Sequence, residues 1–330
     1  MPTIHDVAKH ADVSVTTVSR VLNNVSSVRP AIRRTVLQAI AELGYIPDET
    51  ARGFRKSRSG AIGLLVPDLS HPVFQDFVEG IGGVVRDREY SLLLYDAHRE
   101  EEVEAENIRR LLQRRVEGVI LCPLGETCPG IELVARAGVP AVVITSSRQP
   151  FGLPKLFVDH DLGLQQAVRY LQGLGHKRIA LVTRSSPRGV VFRADPAAML
   201  RLGLPYEPAL VVEAGSRQEC LTVVPTMLDR ADRPTALLLA THLYAPYVLG
   251  GIAAADLEIP NDISFITMGD SPWAQYYRPP LTVITFDRVA VGRMAAQYIL
   301  TRLAGLDAEY LLTEIRSELV IRASCAPLER

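Results

Sequence analysis

From residue 61 onward the chain alternates short, nearly unbroken apolar runs with longer helix-like stretches, and few architectures accommodate that alternation. The runs Ile62–Val66, Ser91–Tyr95, Gly118–Cys122, Ala141–Thr145, Arg178–Thr183, Ala236–Leu239, Ser264–Met268 and Thr282–Thr285 have strand length. Between them, Val73–Asp87, Glu101–Arg114, Leu162–Leu174 and Val289–Leu303 read as helices. Near-continuous apolar strands separated by helices predict parallel sheets covered on both faces. About 265 residues are too many for one core of this type, so two α/β lobes are expected. In such sheets small molecules bind beyond the carboxyl ends of the strands, here in the cleft between lobes.

Composition narrows the class. With 48% hydrophobic and 22% charged residues the chain is globular rather than disordered. Its longest apolar stretches, Ala61–Val66 and Val139–Ile144, fall far short of a membrane span. The start, MPTIHDVAKH, lacks the basic and apolar regions of a secretory signal. Cys122, Cys128, Cys220 and Cys325 show no C-x-x-C spacing, so neither a zinc site nor a disulfide framework is expected. The thiols fit a reducing cytoplasm. No histidine shows metal-ligand spacing, and no metal or cofactor is expected. His71, His160 and His242 fall on predicted cleft loops, where ligand contact and ordinary loop chemistry are both open.

The net charge of −1 is unevenly spread. Residues 1–58 hold nine Lys/Arg against five acids, net +4, which leaves −5 for the remainder. A small basic head on an acidic body is the asymmetry expected when one part touches phosphates.

Within that head, Thr3 with Asp6 three residues on opens a short helix whose apolar set is Ile4, Val7, Ala8 and Ala11. Asp12–Val13–Ser14 interrupts it, and Ser14 can cap a second helix carrying Val18, Val21 and Leu22. So short a break forces the helices to cross, which is a helix-turn-helix. Asn23–Asn24 ends the second helix through the left-handed cap that Asn tolerates. A third runs from about Pro30, with Ile32, Val36, Ala39, Ile40 and Leu43 as its stripe and Gly44 as its stop. The polar face of the second helix, Val15, Thr16, Thr17, Ser19 and Arg20, suits the major groove. Arg20 can pair bidentately with guanine, while Ser14, Thr17 and Ser19 can reach phosphate oxygens.

These residues carry a resemblance. TIHDVAKHADVSVTTVSRVLNN, then ELGYIP and an alanine-bearing basic segment, resembles the head of the lactose/galactose repressor family. PDLSHPVF, VEGVIL, LGHKRIALV, RPTALLLA, EIPNDISF and PPLTVI extend the likeness more loosely through the core. The resemblance implies a helix-turn-helix head (1–47), a hinge helix and linker (48–60), and a two-lobed core like a periplasmic sugar-binding protein (61–330). Lobe 1 would span about 61–158 and 289–319, lobe 2 about 159–288 and 320–330. It implies that Val15, Thr16 and Arg20 read bases, that Ser14, Thr17, Ser19 and Asn23 position the backbone, and that Tyr45 lies near phosphate. Ala51 and Phe54 would belong to the hinge helix that enters the minor groove, Phe54 standing where the family has a leucine wedge. The partners implied are a pseudopalindromic DNA operator, a second copy of the chain, and a sugar, sugar acid or sugar phosphate. With no heptad pattern before Arg330, a dimer is expected rather than a coiled-coil tetramer.

The chain departs from the family pattern at Arg29, Asp48 and several cleft positions. By resemblance the cleft would draw on His71, Phe74, Thr145, His242 and Asp270, with an arginine supplied by Arg188 or Arg193. Thr145 stands where a carboxylate is expected, Thr241–His242 replaces Asn-Asp, and only Asp270 remains after Ser264–Met268. Carboxylates suit neutral sugar hydroxyls and repel anions, so these exchanges favour an anionic effector. A dehydrogenase is not expected: Gly80, Gly82 and Gly83 lie inside a helical stretch rather than a strand-to-helix turn, and neither a P-loop nor G-x-S-x-G occurs. Glu102, Glu106, Arg110 and Arg114, at successive i,i+4 steps, read as a solvated ion-paired helix face rather than a second nucleic-acid patch.

Overall fold

The computed structural model describes residues 2–23, 25–46, 59–125, 128–184, 195–306 and 312–328, and the chain divides into two units, Met1–Ser59 and Gly60–Arg330. In the first, Thr3 starts helix α1 (Ile4–His10) with a reciprocal cap: the Asp6 N–H donates to the Thr3 hydroxyl while the Asp6 carboxylate accepts from the Thr3 N–H. Ser14 caps α2 (Val15–Leu22) by accepting from the Thr17 N–H. Pro30 begins α3 (Pro30–Leu43), and Gly44, at φ +60°, ends it in the left-handed region. Asn23 closes α2 differently from expectation. Its φ is −89°, and its side-chain amide donates to the Ser19 carbonyl instead. Val7, Ala8, Ala11, Val18, Val21, Val36 and Ala39 form the small core.

The second unit runs β1 (Ala61–Val66), α4 (Val73–Arg86), β2 (Ser91–Asp96), α5 (Glu101–Gln113), β3 (Gly118–Leu121), α6 (Pro129–Ala137), β4 (Ala141–Thr145) and β5 (Lys155–Asp159). There follow α7 (His160–Gly173), β6 (Ile179–Arg184), α8 (Pro196–Leu202), β7 (Val211–Ala214), α9 (Cys220–Leu228), β8 (Ala236–Leu239), α10 (Ala245–Ala254), β9 (Ser264–Met268) and β10 (Thr282–Thr285). The chain then returns through α11 (Arg288–Leu303), β11 (Leu312–Arg316) and β12 (Glu318–Val320). One sheet has the order β2-β1-β3-β4-β5-β11 and is parallel throughout. The other has the order β7-β6-β8-β9-β10-β12, parallel except for β12. β1, β3, β4 and β8 are buried along their whole length, as strands covered on both faces must be.

Each lobe is therefore assembled from distant stretches of chain. α11 belongs to the first lobe, where it packs on α4 by backbone approach: a Cβ at Gly80 would lie 2.1 Å from the Val289 carbonyl oxygen, and one at Gly292 would lie 2.4 Å from that of Phe77. Three crossovers join the lobes, at 159–160, 285–288 and 317. Buried Ser317 ties two of them, donating to the Asp159 carbonyl at 2.6 Å and accepting from the Gly163 N–H at 3.2 Å. The expected hinge helix of residues 48–56, with Ala51 and Phe54, lies outside the described residues.

Candidate functional site

On the head, α2 presents the residues singled out from the sequence on its outer side, in unequal states. Thr16 and Arg20 are exposed, whereas Val15 is half-buried against the head core. The Ser14 and Thr17 hydroxyls lie 2.9 Å apart, and Asn23 is bonded to Ser19. Arg20 thus carries the exposed cation of the last turn of α2. Tyr45 is half-buried against the same core. Arg33 donates to the Val25 carbonyl at 2.8 Å and so fastens the loop before α3. His10 reaches Glu42 at 2.7 Å across α1 and α3, and this contact, with Gln38, holds the Glu42 carboxyl below its ordinary pKa.

In the core, a cavity of about 210 Å³ opens where the strands of both sheets end. It is reached from β1 by Pro67, from β3 by Cys122, from β4 by Thr145, from β8 by Ala240 and Thr241, and from β9 by Met268. Parallel strands converge there by their carboxyl ends, the position expected for a ligand site in such sheets. His71 and Phe74, at the start of α4, line it with their rings 5.4 Å apart. Thr145 is buried and accepts from the Ser147 N–H at 3.0 Å. His71, Phe74 and Thr145 therefore come together. Asp270 does not line the cavity: Arg322 grips its carboxylate bidentately at 2.9 and 2.6 Å, which turns that charge toward the chain's last crossover. Arg188, Arg193 and the His242 side chain lie outside the described residues.

The arginines of the cavity are others. Arg99, Arg184 and Arg288 line it, and none of them was singled out from the sequence. Arg184 is the last residue of β6, so the rule that ligands bind at carboxyl strand ends could have found it. Arg99 follows β2 through His98, and both have positive φ, +50° and +62°. That double left-handed step is invisible to periodicity and points to a constrained position. Arg99 is held by Asp68 at 2.6 Å, an interaction that, after the Ser70 hydrogen bonds, helps keep the Asp68 carboxyl below its usual range despite partial burial. Arg288 bonds Asp76 of the first lobe at 2.9 Å and the Asp270 carbonyl of the second at 2.7 Å. His160, first residue of α7, also lines the cavity; its Nδ1 is buried without a hydrogen-bond partner, and burial pushes its pKa down to about 4. Burial likewise raises the Cys122 thiol, which remains protonated. Among the described residues no group of three metal-ligating side chains occurs, and no helix is long and apolar enough to cross a membrane.

A helix-turn-helix head followed in the same chain by a two-lobed core that encloses a cavity is the plan of a DNA-binding regulator. Residues 3–48 match the profile of bacterial regulatory proteins of the lacI family, and residues 168–325 match that of a periplasmic binding protein-like domain. Catabolite control protein A of Priestia megaterium is 28% identical over 302 residues, covering 90% of this chain and 91% of that protein. The HTH-type transcriptional repressor CytR of Escherichia coli (strain K12) is also 28% identical, over 99% of this chain and 97% of its own. The Lac repressor dimer bound to operator and the anti-inducer ONPF superimposes with a TM-score of 0.83 at 26% identity, over 98% of this chain and 99% of the other. The head thus matches the lacI family, the chain is similar along nearly its whole length to transcriptional regulators, and it is a DNA-binding transcription regulator.

Proposed function

We propose that the chain acts as a homodimeric repressor on a pseudopalindromic operator, and that a small molecule in the cavity between its lobes sets how tightly it holds DNA. The observation that carries this is the cavity itself, lined from both sheets and crossed by all three connections, in the same chain as a DNA-reading head. A ligand that favours one lobe arrangement shifts the population toward it, and by linkage operator and effector alter each other's affinity by the same factor. The Lac repressor, similar over nearly the whole chain, has been seen as a dimer on its operator with a ligand bound. In the head, Val15, Thr16 and Arg20 read base edges, while Ser14, Thr17, Ser19, Asn23 and Tyr45 set the position on phosphates. Ala51 and Phe54 belong to a hinge segment whose wedge bends the duplex in the minor groove. No catalytic step is part of this reading.

Footprinting on an operator selected from random DNA tests it. Two protected half-sites related by a two-fold axis are expected, with affinity falling steeply as salt rises because phosphate contacts release counterions. Protection of a single asymmetric half-site overturns the dimer.

A further inference from the structure

The charges around the cavity are one-sided. Three guanidinium groups, Arg99, Arg184 and Arg288, line it, and among the described residues no carboxylate does. Two of those guanidiniums are matched by acids set behind the lining, Arg99 by Asp68 and Arg288 by Asp76. Asp270 is likewise spent on Arg322. Among the described residues Arg184 forms no ion pair, so of the three guanidiniums it is the one with no described acid set behind it. A neutral polyol is held best by carboxylate acceptors for its hydroxyl protons, and among the described lining residues the side-chain oxygens are the hydroxyls of Thr145, Ser146, Thr241, Thr285 and Ser317. An anion, by contrast, meets planar donors whose geometry fits a carboxylate or a phosphate.

Building on the regulator reading, we propose that the effector is a small hydroxylated anion, its carboxylate or phosphate group held by Arg184 and flanked by Arg99 and Arg288. The hydroxyl groups of its body meet the threonine and serine side chains, and its apolar face lies against Phe74, Phe77 and Phe286. Asp68 and Asp76 fix their arginines in place without entering the lining, so positive charge is presented without a nearby carboxylate to repel the ligand.

Calorimetry on the full chain tests this with matched probes: D-glucose as the neutral parent, D-gluconate and D-glucuronate as carboxylates, and D-glucose 6-phosphate as the phosphate ester. At least one charged probe should bind at least tenfold more tightly than glucose, and which one does separates a carboxylate site from a phosphate site. Arg184→Gln should weaken that probe roughly 10- to 100-fold, the range for losing a charged hydrogen-bond donor. Arg184→Lys, which keeps the charge, should retain the preference for the anion, and this variant guards against misreading a folding defect. Binding of glucose as tight as any charged probe, no binding by any of them, or an anion preference untouched by Arg184→Gln overturns the inference. Operator binding by the wild type is measured in parallel, with and without each probe. If the DNA is bound and the anions are not preferred, this inference fails alone; if anions bind but no DNA does, the regulator reading fails alone.

Discussion

His160 stands at the first crossover between lobes with its Nδ1 buried and unpartnered. Its pKa is pushed down to about 4 by burial, against partial opposition from the Asp159 and Asp161 carboxylates. In the unfolded chain the same imidazole titrates near its ordinary value of about 6.5. The unfolded state therefore binds the proton at a higher pH than the folded state does. The stability this residue permits is complete above pH 6.5 and is lost as pH falls from there toward 4. Between pH 7 and pH 5 that loss amounts to about 2 kcal/mol, a ceiling because the side chain keeps some exposure to the cavity. Trp273 is the chain's single tryptophan and lies in the core unit, so its fluorescence reports core unfolding without signal from the head. Urea unfolding at pH 7 and pH 5 should show the wild type losing up to about 2 kcal/mol more than His160→Gln, which cannot titrate. The comparison cancels every other titrating group and any cost of the substitution itself. Parallel losses in the two proteins would mean that burial does not hold the ring neutral, and the reasoning would fail.

Arg20→Ala should cost about 1–3 kcal/mol on the operator and relax the preference at one base pair; anisotropy titrations showing equal losses on operator and random DNA would remove it as a base reader. Gly80→Ala should destabilise the core by about 1–3 kcal/mol, because its Cβ would sit 2.1 Å from the Val289 carbonyl oxygen. Gly82→Ala meets nothing within 4 Å in the same helix and should stabilise by up to about 1 kcal/mol, so urea midpoints moving in the same direction would contradict the packing. Asp270→Asn should cost about 1–3 kcal/mol by leaving Arg322 short of its bidentate partner; an unchanged urea midpoint would show that the pair is not structural.

How much of this was legible in the sequence depended on whether a signal was local. The eight strands read from the chain are present within a residue or two, because most of them are buried on both faces and so continuously apolar, while β2 at the sheet edge is apolar yet partly exposed. β5, β7, β11 and β12 were not anticipated. β7 and β12 are short edge strands with one partner each, which need little apolar content. α9 was masked by Pro225 inside it, and α10, with Gly250 and Gly251, is too uniformly apolar to show a helical face. In the head, the Thr3–Asp6 and Ser14 caps act within a few residues, so sequence sufficed. The cavity was another matter. His71, Phe74 and Thr145 could be placed by likeness, but Asp270 was expected in the cavity and is held by Arg322, fifty-two positions away. Long-range pairing of that kind has no local signature, and neither does the convergence of Arg99, Arg184 and Arg288 from three separate elements.

The contact of α11 with α4 bears on how the protein is made. The first sheet cannot be finished by the part of the chain that begins it, since β5 ends at Asp159 and its outer neighbour β11 starts at Leu312. At about 5–20 residues per second on the ribosome, roughly 8–30 s separate the two. Throughout that interval the nascent lobe presents an unpaired strand edge on β5 and an uncovered glycine-bearing face on α4, both open to wrong partners. Once β10 is made, by contrast, the second sheet lacks only the three residues of β12. The lobe that is translated first is therefore the one left waiting, and a chain cut short before Arg288 would carry its unsealed surfaces permanently.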